Sequence, residues 1–400
     1  MLRGRRAFGR LGIAVLVPLV VLGACGKDDN KNKAAEGGST NGKKTAVLGF
    51  VGPLTGDSAN LGVNIRDGAK VAIDEWNKKG GPITYQLKEF DTQGAPEQAQ
   101  GQKDKFIPDS SILGIVGPAF SGETKAVLPD LEQAGLVMVS ASATNAALPT
   151  IVPNSKVFHR IIADDDVQAS GVADYVTKVI KPKKVALIND NTEYGKGLWE
   201  GVVKLLTAAK VDTSTTDSID PKSQDFSATV NKVKAAKVDM VFYGGYYSEA
   251  GRLKKQLTDA GVTAKFISGD GSLDQGFVTS SGAAGGEGAL LTCPCRLATA
   301  DLPGKAGEFA KNYKALNGRD PGTYSSEGYD AASILIAGIE AGNDTRAKLL
   351  SYVDTLGSFD GVSKTIQFAP NGNIKAGDVF VYEVKGGKLT ELGRTSELAK

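Results

Sequence analysis

Short apolar runs alternate with helical stripes along most of the chain. Residues 46–51 (Ala46-Val47-Leu48-Gly49-Phe50-Val51) are rich in strand formers and end in Gly52-Pro53, so they read as a buried strand and its turn. Ala69, Ala72, Ile73 and Trp76 mark one face of a helix over 65–79, which Gly80-Gly81 stops. The same alternation predicts strands over 85–90, 112–116, 137–140, 184–188, 240–243, 265–268 and 289–292. Helices are predicted over 95–106, 122–134, 169–179, 197–208, 226–236 and 250–260. Strands apolar on both faces and separated by helices predict parallel sheets with helices on each side. Towards the end the rhythm changes: 365–368 and 379–384, separated by Pro370-Asn371-Gly372, read as extended segments outside that alternation. The body from about residue 45 to 400 exceeds one hydrophobic core, so two lobes are expected.

The first residues follow a different pattern. Arg3, Arg5, Arg6 and Arg10 precede an apolar run from Leu11 to Leu22 that is too short for a mature membrane span and fits the core of an export signal. It ends in Leu22-Gly23-Ala24-Cys25, which resembles a bacterial lipobox, so Cys25 is the expected lipidation site after removal of residues 1–24. Arg5-Arg6-Ala7-Phe8 also resembles a twin-arginine signal, and the export route stays open. Residues 25–44 are polar and read as a flexible tether.

That segment changes the meaning of the charge. The chain carries 47 Lys and Arg against 45 Asp and Glu, but four of the arginines precede Cys25, leaving 43 against 45 and a formal charge of −2. Nothing in this balance favours nucleic acid as a partner. Beyond Cys25 the only thiols are Cys293 and Cys295, expected as a disulfide in an oxidising exterior and too few for a zinc site.

An enzyme is a poor reading. His159 is the only histidine, and it sits in the apolar run Val157-Phe158-His159-Arg160-Ile161, where it is expected to pack rather than to move protons. No metalloprotease, nucleophile-elbow or paired Cys-x-x-Cys motif is present. Asp164-Asp165-Asp166 stands before a predicted helix, so capping explains it better than a metal. No cofactor and no metal are expected.

In sheets of this kind ligands bind beyond the carboxyl ends of strands. The loops 115–121 and 139–145 run from strands into helices and carry Ser121, Ser142 and Thr144. A carboxylate site at helix N-termini and simple capping by Ser121 and Thr144 are equally good readings of them. In the other half, 189–195 and 243–247 end strands with aromatics, and Ser268-Gly269-Asp270-Gly271 sets a carboxylate among glycines. Aromatics flanking one carboxylate suit a ligand with an apolar part and an ammonium group.

The order of Val47-Leu48-Gly49-Phe50-Val51-Gly52-Pro53-Leu54-Thr55-Gly56, the loop 140–145, Tyr194-Gly195, residues 242–251, Phe359-Asp360-Gly361-Val362 and Pro370-Asn371-Gly372 resembles the leucine/isoleucine/valine-binding protein family. The resemblance runs from about residue 45 to the end. It implies the type I periplasmic binding protein fold, an α/β architecture of two doubly wound parallel-sheet lobes joined by a three-segment hinge. The crossovers fall near Ala163-Asp164, Cys293-Pro294 and Gly372. Lobe 1 is then 45–163 with 293–371, and lobe 2 is 164–292 with 372–400.

By position the resemblance assigns Ser121, Thr144 and backbone groups of Ser142 and Ala143 to a ligand α-carboxylate, and Asp270 to its α-ammonium. Tyr194 and Tyr246 match aromatics laid over the ligand, Tyr324 is a looser pocket candidate, and Leu61 stands where better-known members present an aromatic. Asp270 replaces their Glu. The implied protein is a monomeric, extracytoplasmic, membrane-anchored carrier that closes on an amino acid and delivers it to ABC permease subunits. A ligand sensor of the same fold, or a binder of amides, urea or short-chain acids, are the alternatives.

Overall fold

The computed structural model describes residues 43–375 and 377–400. The export segment, Cys25 and the tether up to residue 42 lie outside the described residues.

In the first lobe, β1 (Lys44–Gly52) is apolar on both faces and therefore takes a central position, with β2 (Ile83–Asp91) and β3 (Ile112–Val116) parallel on either side. Connections run through α1 (Ala59–Lys78), α2 (Pro96–Phe106), α3 (Ser121–Ala134) and the short α4 (Leu148–Ile151). Strands β4 (Met138–Ser140) and β5 (Phe158–Arg160) complete an all-parallel sheet in the order β2-β1-β3-β4-β5. The predicted helix at 65–79 starts earlier, at Ala59, because Leu61 and Ile65 continue its buried stripe while Asn60 and Asn64 carry polar groups between them.

The chain then crosses to the second lobe through α5 (Asp165–Tyr175), which ends in one π turn over Val176–Ile180. There β6 (Lys184–Asn189), β7 (Asp212–Ser218), β8 (Met240–Gly244), β9 (Lys265–Ser268) and β10 (Leu290–Cys293) alternate with α6 (Glu193–Ala208), α7 (Ser227–Ala236), α8 (Tyr247–Asp259), α9 (Gln275–Ser281) and α10 (Ala283–Gly286). After β10 it returns to the first lobe as α11 (Lys305–Asn317), α12 (Ser325–Glu340) and α13 (Arg346–Asp354). Helices α1 and α12 cross at glycines: a Cβ on Gly68 would lie 2.0 Å from the Ser325 carbonyl oxygen, and one on Gly328 2.2 Å from that of Ile65. A small ladder of β11 (Phe359–Asp360) and β12 (Thr365–Ile366) precedes the third crossing. The late extended segments explain themselves here. β13 (Phe380–Lys385) runs antiparallel to β10, and β14 (Lys388–Arg394) antiparallel to β13, before α14 (Thr395–Leu398). The second sheet is ordered β14-β13-β10-β9-β8-β6-β7.

Cys293 and Cys295 are disulfide-bonded where β10 leaves the second sheet, with Cα atoms 4.9 Å apart. His159 is buried edge-on against Phe368 at 4.7 Å, and burial lowers its pKa to about 4, so it packs as a neutral ring. No described helix is long and apolar enough to cross a membrane.

Candidate ligand-binding site

Both lobes point strand ends and helix starts at the same cleft, as parallel sheets require. From the first lobe, the backbone N–H of Phe120, just before α3, donates to Glu123 at 2.7 Å. The same device recurs in the second lobe, where the Tyr246 N–H before α8 donates to Glu249 at 3.2 Å. Each glutamate thus satisfies a free helix-start donor. The two aromatic rings so positioned stack across the cleft with centroids 4.5 Å apart, and Tyr194 leans on Tyr246 at 5.1 Å.

These rings, with Ser121, Ser142, Gly271 and Tyr324, line a narrow gap between the lobes, too tight as it stands to admit a water molecule. The Ser121 hydroxyl accepts from the Asn145 N–H at 3.1 Å, and the Ser142 hydroxyl donates to the Ala119 carbonyl at 2.6 Å. Thr144 is fully buried, and its hydroxyl has no hydrogen-bond partner. A buried hydroxyl without a partner is unfavourable by about 1–3 kcal/mol, and this one lies towards the Asp165 carboxylate rather than in the lining of the gap. Ala143 stands behind the gap: its N–H donates to Ser140 Oγ at 3.1 Å, and its carbonyl accepts from Arg160 at 3.0 Å.

On the opposite wall, Asp270 is fully buried. Its Oδ1 accepts from the Tyr194 hydroxyl at 2.6 Å and from Gln168 Nε2 at 2.9 Å, and its Oδ2 accepts from the Tyr324 hydroxyl at 2.6 Å. Burial pushes this carboxyl above its ordinary range, while the three donors pull it back. The glycines around it are required by close approach. A Cβ on Gly271 would lie 2.6 Å from the Tyr194 ring, and one on Gly269 2.6 Å from the Tyr194 hydroxyl oxygen. Tyr324 reaches Asp270 from the start of α12 with a left-handed backbone, φ 66°. That conformation is uncommon for a bulky residue and persists only where its surroundings impose it.

Further contacts join the lobes around this core. Asn60 Nδ2 donates to Asp274 at 2.8 Å, Asn145 Nδ2 to the Glu193 carbonyl at 2.6 Å, and Lys125 pairs with Glu193 at 2.6 Å. The Thr323 hydroxyl donates to the Leu273 carbonyl.

The structure therefore brings Ser121, Ser142, Thr144, Tyr194, Tyr246, Asp270 and Tyr324 together. Leu61, like Thr144 and Asp270, is fully buried and is not among the residues that line the gap itself. Three neighbours were not foreseen: Phe120, Gln168 and Asp165. Phe120 had a legible signal, being an aromatic three residues before a glutamate at a strand-to-helix turn. Gln168 and Asp165 had none. Of the three consecutive acids, Asp164 caps α5 by accepting from the Val167 N–H at 3.1 Å, while Asp165 turns inward and is buried. No group of three or more metal-ligating side chains occurs among the described residues.

A sequence profile of periplasmic binding proteins matches residues 45–388. The Leu/Ile/Val-binding protein BraC3 of Rhizobium johnstonii is 32% identical over 86% of this chain and 92% of its own length. The chain belongs to the periplasmic binding protein family. It is a substrate-binding protein rather than an enzyme, and its family acts outside the cytoplasm. The fold agrees. The branched-chain amino acid transporter substrate binding protein LivJ from Streptococcus pneumoniae, solved with isoleucine, superimposes with a TM-score of 0.80 at 24% identity, covering 88% of this chain and 100% of LivJ. A benzoate-bound solute binding protein from R. palustris superimposes with a TM-score of 0.78 at 20% identity, covering 88% of this chain and 96% of that one. The molecule is thus a periplasmic binding protein of the type I fold.

Proposed function

We propose that this protein captures an α-amino acid with a branched apolar side chain outside the cytoplasm and delivers it to an ABC importer. The observation that carries this reading is the fully buried Asp270, held directly behind the Tyr194 and Tyr324 wall of a cleft that also carries Ser121 and Ser142. A zwitterion buried between them would find a carboxylate for its ammonium and hydroxyls for its carboxylate, and burial of both charges is tolerable only when each is paired. Phe120 and Tyr246 would supply the apolar wall. The names of BraC3 and of the isoleucine-bound LivJ support the same cargo class.

Capture would work by closure. Lobe 1 (45–163 and 293–371) holds the carboxylate end, and lobe 2 (164–292 and 372–400) adds Tyr194, Tyr246 and Asp270. A ligand that touches both lobes binds the closed state more tightly than the open one, and this difference shifts the population. Cys25 would carry the lipid that keeps the carrier at the membrane, as a monomer beside its permease.

A second reading has one observation in its favour. Both Asp270 oxygens already accept tyrosine hydroxyls, and the wall of the gap is aromatic, which suits a planar or short-chain acid that brings no ammonium. A thermal-shift screen of the refolded protein separates the two. Ligand at a hundredfold its Kd adds about 2.7 kcal/mol. Stabilisation by leucine, isoleucine or valine is expected. Stabilisation by benzoate, amides or urea but by no α-amino acid would overturn the cargo and leave the closure mechanism.

A further inference from the structure

Asp270 is not the only carboxylate enclosed behind the cleft. Asp165, the first residue of α5, is buried as well, and one side chain touches both: Gln168 Nε2 lies 2.9 Å from Asp270 Oδ1 and 3.3 Å from Asp165 Oδ1. The same glutamine accepts the Asp270 N–H at 3.0 Å, so its orientation is fixed with the NH₂ towards the two acids. The other Asp165 oxygen has no hydrogen-bond partner, and the Asp165 N–H donates to the Thr144 carbonyl at 2.8 Å. Two buried carboxylates bridged by one neutral amide need a positive charge or a proton among them.

Among the described residues no cation makes a hydrogen bond to either acid. Tyr194 from α6 and Tyr324 from α12 face the pair with hydroxyls, as does Thr292 of β10 on the far side of Gln168. Among the described residues Arg160 of β5 is the one cation nearby; its charge favours the Asp165 carboxylate, but its hydrogen bonds go elsewhere, to the Ala143 and Asn145 carbonyls at 3.0 and 2.8 Å, to Asn373, and to Asp164 at 3.4 Å. Asp164, the cap of α5, and Asp166 flank Asp165, and Asp190, Glu249 and Glu123 lie around Tyr246, all of them acidic.

We propose that Asp165 and Asp270, joined through Gln168, share one proton that the ligand's ammonium displaces when the lobes close on it. The inference rests on the amino-acid reading of the site. Asp165 is in this account a positioning residue that acts on the ligand through Asp270. Burial and the charge of Asp270 raise the Asp165 carboxyl, in keeping with a pair that titrates as a unit. The chemistry balances simply: one ammonium enters, one proton leaves to buffer, and the site keeps its charge.

The test is isothermal titration of the refolded protein with the tightest-binding standard L-amino acid, in buffers of different ionisation enthalpy between pH 6 and 8. The wild type is expected to release up to one proton per ligand, and its affinity to rise by up to about tenfold per pH unit while the proton is held. Asp165→Asn removes the shared site and is expected to abolish the release, whereas Asp164→Asn on the same turn leaves it. Zero release from the wild type would overturn the proposal without any variant, and so would unchanged release from Asp165→Asn. If no α-amino acid binds the wild type, the cargo reading falls and takes this proposal with it; if one binds with no proton released, only this proposal falls.

Discussion

The two lobes meet the cleft with one backbone device and different contents. Phe120 and Glu123 on α3 repeat the arrangement of Tyr246 and Glu249 on α8, and the two rings meet face to face. Past that symmetry they diverge. The first lobe offers small hydroxyls, one of them unpartnered, on the loop after β4 and at the start of α3. Around Asp270 the second lobe offers a carboxylate network that is already closed on itself through Tyr194 and Gln168. A site built this way has one wall whose groups await a partner and one wall whose charge is held in place before any ligand arrives. On the proposed reading the first wall would set which acid end fits, and the second how strongly a cation is rewarded.

Perturbing the charged wall is expected to have the largest effect. Asp270→Ala removes the ammonium's acceptor and leaves the Tyr194 and Tyr324 hydroxyls without their partner, so amino-acid binding should weaken by about 3–5 kcal/mol. Titration calorimetry at matched thermal stability reads this, and an affinity equal to wild type would remove Asp270 from the site.

Next comes the shared device. Burial pushes Glu249 from an ordinary 4.5 up to about 8, and Glu123 up to about 7. The unfolded chain loses the Glu249 proton near pH 4.5, while the folded chain holds it to about pH 8. Stability from this group is therefore full below pH 4.5 and falls as pH rises to about 8. His159, lowered to about 4, acts in the opposite sense between about pH 4 and its ordinary 6.5, so the comparison is between proteins and not along one curve. Urea unfolding of Glu249→Gln and wild type at pH 5 and pH 8 should show a smaller decline in the variant; equal declines would mean that Glu249 is ionised in the folded state.

Smaller effects follow at the seam. Tyr324→Phe deletes the one hydroxyl that crosses from α12 to Asp270, and closure on ligand should weaken by about 1–3 kcal/mol, seen as a faster ligand off-rate. Lys125→Ala breaks an exposed pair with Glu193 and should change affinity by less than about 1 kcal/mol, vanishing at high salt. A large salt-insensitive loss would mean that this rim contact helps to hold the lobes together.

Much of this was readable from residue order. The run 112–116 is a strand with the predicted ends, and the carboxylate set among glycines at 268–271 stands at the end of a strand, as expected. The polar strand β7, Asp212-Thr213-Ser214-Thr215-Thr216-Asp217-Ser218, was not legible. It is an edge with one neighbour and needs no apolar alternation on both faces. Asp165 was hidden for another reason. Successive residues at a helix start point in different directions, so three consecutive acids cannot be told apart by composition, and only one of them caps. Leu61 shows the reverse. Its position suggested a pocket wall, and the structure places it on the buried stripe of α1, while Phe120 just before α3 lines the gap.

The most direct test of the central claim compares each amino acid with its own deaminated analogue, isoleucine against 3-methylpentanoate, by calorimetric titration of the refolded protein. The two share the carboxylate and the branched chain and differ only in the group assigned to Asp270. The account predicts that isoleucine binds at least about a hundredfold more tightly. Equal affinities would contradict it, because a buried acid that ignores an ammonium is not the wall described above.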